Sequence, residues 1–222
     1  MEKNIKPIAH MRSAYTQKFG IPRQSGLVEL ASDIVFEPKY KNPDALRGIE
    51  GFSHLWLIWG FSENPDTGTF SPTVRPPRLG GNTKMGVFAT RSPFRPNGLG
   101  LSCVRLLSVG DGVITVSGAD LANGTPIYDI KPYLAYTDSH PDACGGFAEP
   151  LLSHRLDVNF SPVLLALLPP YLQTAAAEIL AQDPRPSYQN DEDREYGIAL
   201  EAYNIKFTVF ENELTVTAVE PL

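Results

Sequence analysis

The 222-residue sequence predicts a mainly β protein: an antiparallel β-barrel followed by a small C-terminal α+β unit. Two observations predict this fold class. The first two thirds of the chain consist of short segments rich in Val, Ile and aromatic residues, separated by Gly, Pro, Asn and Asp. One short helix candidate, residues 43–52, interrupts them, so an antiparallel barrel or strongly curved sheet fits better than alternating strands and helices.

Seven segments in the first 160 residues are candidate strands. Each is predominantly apolar, and most are bounded by turn residues. Asp111-Gly112, between two apolar runs, is a two-residue hairpin signal. The candidates are residues 5–13, 26–36, 53–61, 84–91, 101–109, 112–121 and 126–134.

The pattern changes near Ser161. Residues 169–182 begin with two prolines and continue with Ala, Leu and Glu, which predicts a helix. Residues 196–222 predict a terminal hairpin that turns at Glu211-Asn212. We therefore divide the chain into a β-barrel domain at 1–160 and a C-terminal α+β domain at 161–222.

Composition and charge exclude several classes of protein. With 42% hydrophobic and 20% charged residues, the chain is neither disordered nor fibrous. It contains no membrane-length apolar run and no apolar signal segment at its start, so we expect a cytoplasmic protein with no membrane partner. Cys103 and Cys144 form no CxxC motif, and we expect two buried free thiols and no metal site.

Basic charge is concentrated in one interval although the net charge is −6. Between Asp66 and Asp111 there are six basic residues and no acidic one, so this interval carries +6 and the rest of the chain −12. Its basic residues alternate with Pro, Gly and aromatic residues, which favours a polyanion or carboxylate site. A rigid turn whose arginines pair with acidic residues elsewhere remains the alternative.

Residues 90–100, TRSPFRPNGLG, are the most distinctive part of this interval. Two prolines favour an extended, stiff arm from which Arg91 and Arg95 project. Asn97-Gly98 then reverses the chain. The GLG sequence lacks the third glycine and the following helix of a dinucleotide-binding motif, so a Rossmann site is not expected.

Other polar residues form weaker patterns. Asp129, Lys131 and Tyr133 alternate and would share one face of a strand, which fits either a polar site or a solvated sheet face. His54 precedes an apolar run, where a histidine is more often a core residue. Arg23-Gln24 follow a proline, and residues 183–188 form a second proline-stiffened arm with an arginine and a tyrosine.

Five of these segments, in order, resemble the TsaA/TrmO-like family of tRNA methyltransferases: FGIPRQ, GFSHLWL, MGVFATRSPFRPNGLGLS, YDIKPY and DPRPSY. The resemblance extends from about Phe19 to Tyr196. It implies a homodimeric, non-Rossmann β-barrel enzyme that uses S-adenosylmethionine. The family substrate is N-6-threonylcarbamoyladenosine next to the anticodon of threonine tRNA. The Pro-rich loop at residues 63–83 matches no family pattern, and its role stays open.

The resemblance also implies contacts by motif position. Among the cofactor residues, Arg23 or Arg91 would suit the carboxylate of S-adenosylmethionine, and Asp129 or an aromatic face its cationic groups. The expected cofactor contacts are Pro22, Arg23, Gln24, His54, Leu55, Arg91, Leu101, Asp129, Ile130, Lys131 and Pro132.

A second set of residues is expected to contact the tRNA anticodon loop. Arg95 or Arg185 would suit the threonyl carboxylate, and Phe94 and Tyr188 would stack on bases. The full set is Phe94, Arg95, Asn97, Tyr133, Asp183, Arg185 and Tyr188.

A noncatalytic barrel that binds RNA or a nucleotide is the competing hypothesis. Asp129 and Lys131 on one face suit a small cofactor better than a track of phosphates. The sequence identifies no general base, and it leaves open the dimer interface, the sharing of a site between protomers and the choice of tRNA isoacceptor.

Overall fold

A computed structural model describes residues 4–62, 69–79, 82–151, 155–185 and 194–222. In these ranges the chain forms a closed six-stranded barrel, a four-stranded sheet and a two-stranded ribbon. The strands are β1 (Ala9–Arg12), β2 (Ala31–Phe36), β3 (His54–Gly60), β4 (Thr73–Val74), β5 (Met85–Gly86), β6 (Leu99–Gly110), β7 (Val113–Ser117), β8 (Pro126–Pro132), β9 (Asp157–Asn159), β10 (Tyr196–Leu200), β11 (Tyr203–Phe210) and β12 (Glu213–Pro221).

The helices are few and mostly short. Three are α-helices: α1 (Ala135–Asp138), α2 (Pro162–Leu165) and α3 (Pro170–Ala181). Short 3-10 turns lie at Pro38–Tyr40, Pro43–Leu46, Ile49–Gly51, Pro77–Leu79, Val87–Ala89, Pro96–Gly98 and Gly146–Leu151.

The predicted antiparallel barrel is confirmed. Its strands follow one another around the barrel in the order β1, β2, β7, β6, β3, β8 and back to β1, and every pairing is antiparallel. Alternate residues point inward, as a two-residue strand period requires. The buried interior is formed by aliphatic side chains, among them Ile34, Leu55, Leu57, Val104, Ile114, Val116 and Ile127.

The Asp111-Gly112 hairpin is also confirmed. Both residues adopt positive φ, 48° and 71°, as a two-residue turn between antiparallel strands requires. The turn joins β6 to β7 and brings Gly110 opposite Val113.

Two predicted elements are wrong. Residues 84–91 are not a barrel strand, because the Thr90 N–H and hydroxyl both donate to the Val87 carbonyl and close a turn after the two residues of β5. Residues 43–52 are not an α-helix but two 3-10 turns, separated at Gly48, whose φ of 88° is incompatible with a continuous helix.

The C-terminal unit contains the predicted helix and terminal hairpin. Its sheet has the order β10, β11, β12, β9, with β9 parallel to β12. Strand β9 pairs in this sheet, so the sheet begins before the predicted domain boundary at residue 160. The division of the chain into two domains at that residue stays a prediction. Helix α3 packs on the sheet through Leu172, Ala176 and Ile179.

The C-terminal unit shares its core with the N-terminal part of the chain. Ala14, Tyr15, Val28 and Leu30 are buried in the same cluster as α3 and its sheet. The Glu201 N–H donates to the Ala14 carbonyl at 2.7 Å. Residues 14–30 therefore bridge the barrel and the C-terminal unit, and they contain the FGIPRQ segment.

Neither a membrane span nor a metal cluster is found in the described part of the chain. Its helices are too short or too polar to cross a bilayer. Its His, Cys, Asp and Glu side chains form no group of three that could hold a metal ion. Both cysteines are free, but Cys103 is only partly buried and Cys144 is exposed, so the expectation of two buried thiols is wrong.

Candidate functional site

The first half of β6 is the structural centre of the candidate site. It pairs with β3 from Leu99 to Arg105, whereas it pairs with β7 only from Arg105 onward. Beside its other edge lies the segment that contains FGIPRQ, where the Cys103 N–H donates to the Ser25 hydroxyl at 3.1 Å. This contact holds the predicted cofactor residues Pro22–Gln24 next to β6.

Three predicted site segments meet at this edge. Arg91 donates to the side-chain carbonyl of Gln24. Arg23 donates to the Asp183 carbonyl at 2.9 Å. The FGIPRQ segment therefore connects the basic arm to the turn after α3, while Pro22 itself is buried and contributes little surface.

The basic arm has the predicted stiffness and reversal. Arg95 is extended, with φ −133° and ψ 156°, and it precedes the turn in which Asn97 and Gly98 take positive φ. The Phe94 ring is 61% exposed, and the Lys18 ammonium lies 6.0 Å from its centroid. Arg95 donates to the Thr90 carbonyl at 3.0 Å and so braces the arm.

A second group of predicted residues lies on the outer face of β3 and β8. The register places Leu101 of β6 opposite Ile58 of β3, and Ile58 opposite Asp129 of β8. Two strand spacings separate Leu101 from Asp129, or about 10 Å. Leu101 is 56% exposed, so one continuous surface leads from the edge of β6 to Asp129.

Asp129 and Lys131 share this outer face and form an ion pair at 3.0 Å. Asp129 and Ile130 also line a largely apolar pocket of about 360 Å³, together with Tyr40 and Leu46. The exposed Pro132 ends β8. The outer face therefore offers one carboxylate and one ammonium beside an apolar recess.

His54 and Tyr133 stand at the end of the same face, with ring centroids 6.1 Å apart. The His54 Nδ1 lies 2.9 Å from the Ser53 hydroxyl. His54 is only partly buried, so it is not the core residue that its apolar neighbours favoured. Leu55, in contrast, is fully buried inside the barrel, and only its backbone can reach a ligand on the outer face.

Asp183 and Arg185 bind each other. Two hydrogen bonds, of 2.8 and 3.0 Å, join the guanidinium to the carboxylate, and the side chains are only 11% (Arg185) and 16% (Asp183) exposed. The hydrogen bond to Asp183 raises the pKa of Arg185 further above its ordinary value. This pair reinforces the turn next to Arg23. Tyr188 lies outside the described residues.

Sequence reasoning missed Asp120, which lies beside the same edge of β6. The Ser102 hydroxyl donates to its carboxylate at 2.5 Å, and the Trp59 indole N–H donates to Ser102 at 2.9 Å. Burial raises the pKa of Asp120 above its ordinary value, although Ser102 and the positive charge of Arg91 act in the opposite direction. Its position just past an apolar strand gave no sign of these contacts.

Comparisons with known proteins identify the family of this chain. Models of the tRNA-methyltransferase O N-terminal domain and the TrmO C-terminal domain match residues 10–139 and 153–222. The Escherichia coli tRNA (adenine(37)-N6)-methyltransferase is 43% identical over 98% of this chain and 97% of its own length. The Pseudomonas aeruginosa putative S-adenosylmethionine-dependent methyltransferase RcsF is 41% identical over 90% of each chain.

A solved structure extends the likeness to three dimensions. The crystal structure of TrmO from Pseudomonas aeruginosa superposes with a TM-score of 0.79 at 31% identity, covering 99% of this chain and 100% of that one. Both family models and the fold thus agree with the resemblance inferred from the five sequence segments. The chain belongs to the tRNA-methyltransferase O family.

Proposed function

We propose that this protein transfers the methyl group of S-adenosylmethionine to N-6 of threonylcarbamoyladenosine next to the anticodon of threonine tRNA. It is an S-adenosylmethionine-dependent methyltransferase by its family, and two curated relatives are named tRNA (adenine(37)-N6)-methyltransferases. One observation carries the proposal for this chain: the FGIPRQ segment lies between the edge of β6, the basic arm and the Asp183 turn.

The residues present fit S-adenosylmethionine. Arg91 is exposed and can donate to the carboxylate of the cofactor, while the half-exposed Asp129 can accept from its ammonium. The exposed Leu101 lies two strands from Asp129 on the same face and offers apolar contact. When bound, the cofactor supplies an electrophilic methyl group on its sulfonium.

The basic arm is suited to the nucleic acid. Phe94 presents an exposed ring next to a lysine, and single-stranded anticodon bases stack on such rings. Arg95 retains guanidinium N–H groups beyond the one bonded to Thr90, and these could bind the threonyl carboxylate. We therefore assign the cofactor to the face of β6, β3 and β8 and the modified base to the arm.

We further propose that the enzyme is a cytoplasmic homodimer. The exposed rings of Phe70 and Phe88 stack with their centroids 6.4 Å apart, and this apolar surface supports covering by a second subunit. Light scattering coupled to size-exclusion chromatography measures the mass directly. A monomer at micromolar concentration would contradict the homodimer.

Single-turnover methyl transfer tests the function. Threonine tRNA with the threonylcarbamoyl group should be methylated, and the same tRNA without it should not. Arg91→Ala should weaken S-adenosylmethionine binding in calorimetry about tenfold or more, since a charge-assisted hydrogen bond contributes roughly 1.5–3 kcal/mol. Arg12→Ala, which breaks a pair with Asp33 on β1 and β2, is the matched control.

The noncatalytic hypothesis predicts a different result. A barrel that only binds RNA would bind the tRNA without measurable affinity for S-adenosylmethionine. That pair of results would contradict the proposed reaction.

A further inference from the structure

Asp120 interacts with three different segments of the chain at the edge of β6. The Ser102 hydroxyl of β6 donates to it at 2.5 Å. The Ser25 backbone and the positive charge of Arg91 favour its ionised form. Hydrogen bonds from the Cys103 N–H to the Ser25 hydroxyl (3.1 Å) and from the Gly26 N–H to the Gly118 carbonyl (2.8 Å) hold the Ser25 segment beside Asp120. Both Ser25 and Arg91 contact Gln24, which is proposed to bind the cofactor. Ser25 follows Gln24 in the chain, and Arg91 donates a hydrogen bond to the Gln24 side chain.

The hydrogen-bond direction at Asp120 is fixed by the barrel core. Trp59 has an indole N–H that can only donate, and it donates to the Ser102 oxygen at 2.9 Å. The single hydroxyl proton of Ser102 is therefore directed to Asp120. Ser102 and Trp59 are 1% and 8% exposed, so this chain of bonds is anchored in the packed interior.

Among the described residues, Arg91 and Tyr15 interact electrostatically with Asp120. Arg91 faces it from the basic arm, and Tyr15 faces it from the shared core. Burial, and then the charges of Asp120 and Glu178 of α3, raise the pKa of Tyr15, so this phenol stays neutral. Arg91 is thus the cation whose charge the Asp120 carboxylate offsets.

We propose that Asp120 is a positioning residue for the cofactor site: its ionised carboxylate holds Arg91 and the Gln24–Ser25 segment against β6 in the geometry that binds S-adenosylmethionine. This inference rests on the proposed function. Protonation of Asp120 removes the charge that faces Arg91, so the orientation of Arg91 beside the cofactor site is less strongly fixed. Since burial raises the pKa of Asp120, the carboxylate is lost as pH falls through a range above that of an ordinary aspartate.

The two tryptophans allow a test without any cofactor. The Trp59 indole reports on Asp120 through Ser102, whereas the Trp56 indole N–H donates directly to Asp138 at 2.9 Å. Hydrogen bonds from the Leu134 N–H and from Trp56 lower the pKa of Asp138. In ¹H–¹⁵N spectra, the Trp59 indole signal should therefore titrate at higher pH than the Trp56 signal, and Asp120→Asn should abolish only the Trp59 titration.

Calorimetry with S-adenosylmethionine then tests the consequence for binding. The wild-type Kd should rise as pH falls from about 7.5 to about 4.5. At pH 7.5 Asp120→Asn should bind about tenfold or more weakly than the wild type, and its Kd should rise less steeply over the same range. Asp33→Asn is the matched control, because Asp33 pairs with Arg12 on β1 and β2 and should leave the affinity unchanged.

Each outcome decides between the proposals. An Asp120→Asn variant with wild-type affinity and an unchanged pH profile would overturn the role of Asp120. If that variant does not fold, a wild-type Kd that stays constant over the same pH range overturns it equally. Failure of the wild type to bind S-adenosylmethionine at any pH would instead refute the proposed function, and a Trp59 signal that does not titrate would still count against Asp120.

Discussion

At the scale of single residues, Arg95 is the side chain best placed to recognise the threonyl carboxylate. It projects from an arm that Pro93 and Pro96 stiffen, and only one of its side-chain donors is bonded within the described arm, to the Thr90 carbonyl. Arg95→Ala should slow single-turnover methylation of modified tRNA about 10- to 150-fold, with S-adenosylmethionine affinity unchanged. Arg95→Lys should recover part of the rate, because an ammonium cannot form the planar bidentate contact.

Two results would contradict this role of Arg95. Equal methylation of tRNA with and without the threonylcarbamoyl group would show that no group selects the carboxylate. A large fall in melting temperature for Arg95→Ala would show that its bond to Thr90 serves the fold.

The Asp183–Arg185 pair makes a different prediction. Because both side chains are largely buried, Arg185→Ala should destabilise the protein by about 1–3 kcal/mol by removing the two hydrogen bonds between the guanidinium and the Asp183 carboxylate. The double variant with Asp183→Ala should recover much of that loss. Urea denaturation measures the free energy of unfolding of the single and the double variant. The more exposed Lys206–Glu220 pair is the control, and its disruption should change stability much less than the loss of Arg185.

A direct role in binding tRNA would give the opposite pattern for Arg185. Arg185→Ala would then retain its stability and lose methylation, and the double variant would recover nothing.

Residue types and spacing predicted the arm because prolines restrict the backbone locally and glycine allows the positive φ of the turn that follows. They did not predict Asp120, whose partner Ser102 lies on another strand and whose charge acts on Arg91 across the fold. They also could not show that Leu55 points into the core while His54 faces outward. Such facts depend on register between strands, which one strand alone does not encode.

At the scale of elements, six of the seven predicted barrel strands are present because their apolar residues alternate or cluster between turn residues. The two elements that were predicted wrongly have local causes. Thr90 donates to the Val87 carbonyl and closes a turn, and Gly48 has a positive φ that interrupts a helix. The three residues of β9 gave no periodic signal, since that strand depends on pairing with Glu213–Thr215 far along the chain.

Gly100 in β6 connects strand geometry to the site. A methyl group at this position would overlap the Trp59 indole ring. Gly100→Ala should therefore destabilise the protein by about 1–3 kcal/mol and disturb the bond from Trp59 to Ser102. Gly110 lies in the same strand with open space around it, so Gly110→Ala should change stability by no more than about 0.5 kcal/mol.

Urea denaturation with tryptophan fluorescence compares these two variants. Equal stability of Gly100→Ala and Gly110→Ala would mean that the Trp59 ring moves aside at no cost, and the argument from close packing would fail.

At the scale of the whole molecule, the candidate site lies where the barrel meets the C-terminal unit. Tyr15 and Val28 are buried in the core of that unit, and the residues between them include the FGIPRQ segment. The bond from Arg23 to the Asp183 carbonyl is a second link. Stability of the C-terminal core should therefore control the order of the cofactor site.

Leu172→Ala tests whether the two parts unfold together. Leu172 of α3 is fully buried, so its truncation should cost about 2–5 kcal/mol. Both tryptophans lie on β3, which makes fluorescence a probe of the barrel alone, while circular dichroism also follows α3. Because the core is shared, Leu172→Ala should lower the urea midpoints measured by fluorescence and by circular dichroism equally. Leu167 is 53% exposed, so Leu167→Ala is the control and should lower neither midpoint appreciably. A fluorescence midpoint that stays at its wild-type value would show that the barrel is stable without the C-terminal unit, and that the shared core does not couple them.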